Sequence, residues 1–200
     1  MQLSKQADQV LIRQYIKGNE NAFEVLLSRY QEKVFSYIMM MVRDTDLAND
    51  IFQETFFKVI RTLKKGKYNE EGKFLPWVMR IAHNLMIDHF RKEKKLPTVK
   101  QYVGSEDDEF DIFSTISDGL PTVEEEIATD QIRNDVRKLV NLLPEEQKQV
   151  VIMRHYLNMS FKEISQVTDV SINTALGRMR YALINMRKMI KDNEMTMSMH

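Results

Sequence analysis

Helical periodicity runs through almost the whole chain, and between Leu96 and Pro121 it stops. On either side, apolar residues return every three or four positions, the spacing of one buried helix face. In the gap the composition turns to Ser, Asp, Glu and Gly, with no repeating stripe. The expected fold is therefore all-α, with two small helical domains joined by a flexible acidic linker: an N-terminal helical bundle and a C-terminal helix-turn-helix bundle. The expected boundaries are 8–96 for the first domain, 97–121 for the linker, 122–192 for the second domain and 193–200 for a disordered tail.

Charge follows the same division. Residues 1–100 carry 18 basic and 12 acidic side chains, residues 101–135 one and 11, and residues 136–200 ten and six. Two basic modules flank a polyanion, although the net charge is zero. There is no cysteine, which rules out disulfides and thiolate metal sites. The opening "MQLSKQADQV" has no signal-peptide core. The apolar stretch 34–42 is shorter than the ~20 residues a spanning helix needs. A cytoplasmic protein without membrane insertion is expected.

Local signals place the helices. The first ends at Gly18-Asn19, a C-terminal signal. Asp44, Thr45 and Asp46 can cap the helix that follows them, and Pro76 sits early in the helix from Phe74, where a missing N–H costs little. In the second module Thr122 with Glu125, and Ser160 with Glu163, have capping-box spacing. Ser171 caps the last helix, on which Ile172, Ala175, Leu176, Met179, Leu183, Met186 and Ile190 form the stripe expected to be buried.

Three constellations stand outside the core pattern. The last two helices form a helix-turn-helix pattern. Its second helix offers Ser171, Asn173, Thr174, Gly177 and Tyr181 with Arg178 and Arg180, a small polar face suited to base edges and phosphates. A hairpin with a solvated outer face fits the same periodicity. On "DLANDIFQETFFKVI", Asp50, Gln53, Glu54 and Phe57 cluster opposite the apolar stripe, as an aromatic anchor in a polar rim or as a scattered surface aromatic. On "FLPWVMRIAHNLMIDHFRKEKK", Trp77, Asn84, Asp88, Arg91 and Lys95 share one narrow face, with Lys92 beside it. That set suits a single strand: the indole stacks, the amide reads a base edge and the cations hold phosphates. Packing of Trp77 under the preceding loop, with Asp88 paired to Arg91 or Lys92, fits as well.

These segments, with "LPEEQKQVVIMRHYLNMSFKEISQVTDVSINTALGRMR", resemble in order and spacing the signature blocks of extracytoplasmic-function (ECF) sigma factors, over about residues 8–192. The resemblance implies a promoter-specificity subunit of bacterial RNA polymerase that binds the core enzyme and directs transcription initiation. It implies no cofactor, no metal and no catalytic residue. Asp50, Gln53, Glu54 and Phe57 match the polymerase-docking patch. Trp77, Asn84, Asp88, Arg91 and Lys92 match the segment that melts and reads the minus-ten element, where a flipped base sits beside the position of Asn84. The helix from Ser171, with Asn173, Thr174, Gly177, Arg178, Arg180 and Tyr181, matches the reader of the minus-thirty-five duplex. The acidic linker would thread through polymerase channels, and an anti-sigma factor is the implied regulator of a protein that is monomeric when free.

The chain departs from the family pattern in the turn, where Asp169 stands for the usual Gly, and at Leu176-Gly177 in place of Lys-Ser. The second departure removes an expected phosphate contact. The alternative is a free-standing helix-turn-helix regulator with a helical partner-binding domain, which needs neither a single-strand reader nor a docking patch. An enzyme is not expected: His83 and His89 do not converge on one helix, and no phosphate loop or nucleophile motif is present.

Overall fold

A computed structural model describes residues 3–69, 73–95 and 134–192, and all of their regular structure is helical. The linker 97–121, the Thr122–Glu125 capping box and the tail lie outside the described residues. The first module comprises α1 (Asp8–Ile16), α2 (Glu20–Val42), α3 (Thr45–Lys64) and α4 (Phe74–Lys95). The second comprises α5 (134–141), α6 (Glu145–Val151), a π-helical turn (Ile152–Tyr156), α7 (Phe161–Thr168) and α8 (Ile172–Asp192).

The breaks are chemically specified. Gly18 at φ 99° turns the chain out of α1. Arg29 then ties the N-terminal segment down, donating to Asp8 Oδ1 at 2.7 Å and to the carbonyls of Ser4 and Gln6. Between α2 and α3 only Arg43, left-handed at φ 54°, and Asp44 intervene, and Asp44 caps α3 by accepting from the Leu47 N–H at 2.9 Å. In the second module Asp169 adopts the left-handed conformation that the turn requires (φ 53°). The capping box at Ser160 and Glu163 is complete, with both reciprocal bonds made.

Each bundle buries a continuous stripe. Leu11, Leu26, Val34, Tyr37, Val59, Leu63, Val78 and Met79 are closed from solvent in the first, and Val150, Ile152, Ile164 and Ala182 in the second. The modules also hold each other. Helix α7 packs on α4. Lys73 Nζ meets Glu163 Oε1 at 3.1 Å, Arg43 donates to the Asn141 carbonyl at 2.8 Å, and the Lys148 ammonium donates to the Met40 carbonyl at the end of α2. Lys148 is 0% exposed. No sequence pattern announces a charge so placed, because its burial is made by the other module.

His83, buried on α4, shares a hydrogen bond with the Tyr37 hydroxyl at 3.2 Å. Burial, assisted by the Arg178 guanidinium, lowers its pKa to about 4. The unfolded chain, with a His pKa near 6.5, binds this proton more readily. Stability should be complete above about pH 6.5 and fall by a few kcal/mol as pH drops towards 4. In thermal melts the wild-type melting temperature should fall between pH 6.5 and 4 more steeply than that of His83→Gln, and parallel profiles would exclude this histidine as the source.

Candidate nucleic-acid interface

Helix α3 turns Ile51, Thr55, Phe56, Val59 and Leu63 inward, which leaves Asp50, Gln53, Glu54 and Phe57 outside in one i, i+3, i+4, i+7 row. Phe57 is 61% exposed, the most exposed phenylalanine of the bundle's surface, while Phe52 and Phe56 pack ring against ring beneath it at 4.9 Å. Glu54 lies 3.6 Å from Lys58. An exposed ion pair of that kind is weak and yields to a stronger partner.

On α4 the sequence-derived face divides. Asn84, Asp88, Arg91 and Lys92 are exposed. Trp77 is half-buried: its ring sits edge-on to Tyr68 at 4.5 Å and tilted to Phe74 at 5.8 Å. Tyr68 comes from the connection before α4, so the indole does pack under the preceding loop. The remaining surface is held rigidly rather than free to swing. Asp88 Oδ1 accepts from Arg91 at 2.8 Å, the local pairing that i, i+3 spacing allows. The packing reading of this face is thus the one the contacts display: Trp77 against Tyr68 and Phe74, and Asp88 paired with Arg91. Arg80, four residues before Asn84, is exposed on the same side. It is absent from the sequence-derived set, although i, i+4 spacing to Asn84 was the available signal.

On α8 the Ser171 hydroxyl accepts from the Thr174 N–H at 3.0 Å and shares a hydrogen bond with the Thr174 hydroxyl at 2.8 Å. Asn173, Thr174, Arg180 and Tyr181 are exposed. Gly177 is half-buried, and a Cβ built there meets nothing within 4 Å, so the bare backbone is open to an approaching ligand. Arg178 is half-buried, and its positive charge adds to the burial that lowers the His83 pKa.

The buried side of α8 differs from expectation. Ala175, Met179 and Ala182 face the bundle, whereas Ile172, Leu176 and Leu183 are exposed. Two alanines allow close helix contact and rotate the larger aliphatics out of it. Among the described residues, no three His, Cys, Asp or Glu side chains gather as a metal site, and no helix is long and apolar enough to cross a membrane.

Comparison with known proteins gives two family matches, sigma-70 region 2 over residues 26–96 and sigma-70 region 4 over residues 133–180. The chain is 28% identical over 176 residues to the RNA polymerase sigma-H factor of Pseudomonas aeruginosa, covering 88% of this chain and 90% of that one. It is 26% identical over 185 residues to the ECF RNA polymerase sigma-E factor of Haemophilus influenzae, covering 92% and 94%. In fold it resembles CnrH, solved in complex with the cytosolic domain of CnrY, with a TM-score of 0.62, 20% identity and coverage of 94% and 99%. It likewise resembles the sigma factor RpoE of Bartonella quintana, solved with the anti-sigma factor NepR, with a TM-score of 0.59, 15% identity and coverage of 84% and 96%.

Proposed function

The chain belongs to the ECF sigma factors, which serve transcription initiation, and from that premise we propose how its surfaces divide the work. The α3 row of Asp50, Gln53, Glu54 and Phe57 docks on core RNA polymerase. The α4 face of Asn84, Asp88, Arg91 and Lys92, backed by Trp77, captures melted minus-ten bases. The α8 face of Ser171, Asn173, Thr174, Gly177, Arg178, Arg180 and Tyr181 reads the minus-thirty-five duplex. The chain performs no chemistry of its own, needs no cofactor, works where the polymerase is, in the cytoplasm, and is monomeric when free. The domain limits 8–96 and 122–192, joined by the acidic linker, complete this reading.

The observation that carries the proposal is the separation of faces. Residues assigned to polymerase stand on the outside of α3, and those assigned to nucleic acid stand on α4 and α8, all on helices whose other sides are core. A rigid indole fixed by Tyr68 and Phe74 supplies a stacking edge without loss of side-chain freedom on binding. An anti-sigma factor as partner is supported by the likeness in fold to the sigma factor RpoE, solved with the anti-sigma factor NepR.

Purified chain mixed with core polymerase should bind one-to-one and produce promoter-dependent run-off transcripts. Tight duplex binding without any affinity for polymerase would point to the free-standing regulator instead. Phe57→Ala combined with Glu54→Lys should weaken core binding about tenfold in a titration. Both side chains are exposed, so the melting temperature should hold.

A further inference from the structure

The outer side of α8 carries more aliphatic surface than a solvated helix face needs. Ile172 and Leu176 are 45% and 44% exposed, in the first two turns after the Ser171 cap, and Leu183 continues the stripe at 42%. Leu176 stands three residues after Asn173 and four before Arg180, so the three are neighbours along one face. From Ser171 to Lys191 there is no acidic residue, and Arg180, Arg187 and Lys188 are exposed. Open space around Gly177 lets another surface approach the backbone at this level.

A leucine between an amide and a guanidinium, on an uninterrupted basic face, matches the chemistry of an A·T pair in the major groove. There an amide can bond adenine N6 and N7, and the thymine 5-methyl is the apolar group presented. The N-terminal half of a recognition helix is the part that reaches base edges, which selects Ile172 and Leu176 over Leu183. We infer that Leu176, supported by Ile172, packs on thymine 5-methyl groups and makes the upstream duplex element thymine-dependent beside an adenine read by Asn173. This deepens, and rests on, the reading of α8 as the duplex reader. The occupant is DNA rather than an acidic protein helix because the amide and the bare Gly177 backbone accompany the aliphatics. A protein helix would need only the stripe and the charge.

The test uses holoenzyme made from the full chain and core polymerase, with an upstream element selected from a randomised library. Each thymine of that element is then replaced singly by deoxyuridine, which lacks only the methyl group. At one or two positions the replacement should weaken binding about fourfold, the worth of one buried methyl-sized group. Leu176→Ala should abolish that penalty, and Leu176→Met, which keeps an aliphatic reach, should retain it. Alanine is a better helix former than leucine at an exposed site, so the variant keeps its fold, as a melt will verify. If deoxyuridine is tolerated everywhere while the upstream duplex stays protected, or if the penalty survives in Leu176→Ala, the inference is overturned and the stripe belongs to a protein partner. If wild-type holoenzyme fails to protect the upstream duplex at all, the α8 reading itself falls.

Discussion

Asn84→Ala is expected to leave the holoenzyme assembled and to slow promoter opening by about one to two orders of magnitude. The side chain is exposed and contributes nothing to the core, so its loss should not move the melting temperature. Its proposed work is a pair of hydrogen bonds to the edge of an unstacked base, and contacts of that kind are worth ~1–3 kcal/mol. Base capture matters most when the duplex must first be opened, since unstacking costs a few kcal/mol. The defect should therefore be large on fully paired promoter and small on a template already mismatched across the minus-ten element. A fluorescent base in that element reports both rates. Normal opening of the paired promoter by the variant would remove Asn84 from the mechanism. Trp77→Ala is a less clean probe, because removing the indole also strips packing from Tyr68 and Phe74.

The second large effect concerns the junction of the modules. Burial, aided by the nearby Arg43, lowers the Lys148 pKa to about 8 in the clasped arrangement. When the modules separate, the ammonium returns to water and to its usual value of 10.5. Below pH 8 the group is charged in both arrangements, and clasping bears the whole cost of burying it. Between pH 8 and 10.5 the clasped form sheds the proton first, so clasping strengthens as pH rises, by up to ~3 kcal/mol or about a hundredfold in the clasped-to-separated ratio. Distance measurements between a label on each module, across that range, should show the trend. Lys148→Met should flatten it, and an identical profile in that variant would exclude Lys148 as its origin.

Much of this architecture was legible in the residues, and what was not shares one cause. Caps and turns are local: Asp44, Ser160 with Glu163, Asp169 and Ser171 act on backbone within a few positions, so spacing identifies them. The exposure of Asp50, Gln53, Glu54 and Phe57 also followed from a wheel, because α3 has a single broad apolar stripe. Readings stayed open or failed where a distant element decides. The packing of Trp77 under the preceding loop was one of two open readings, and Tyr68, which no helical wheel includes, decides it. Lys148 is buried by α2 of the other module. On α8, counting apolar residues favoured Ile172, Leu176 and Leu183, while contact distance favoured Ala175 and Ala182. The π-helical turn at Ile152–Tyr156 likewise interrupts what reads as one continuous helix, and left-handed Asn158 follows it.

Glu163 accepts from the Ser160 N–H and hydroxyl, both at 2.7 Å, and reaches Lys73 of the other module. Burial alone would raise its pKa, but the Ser160 and Lys73 contacts outweigh it and hold the carboxylate ionised. Its bonds within α7 do not involve the neighbouring module, so releasing Lys73 leaves that helix start intact. The cap of α7 is therefore independent of the contact between modules: losing the ion pair to Lys73 costs this helix none of its own start.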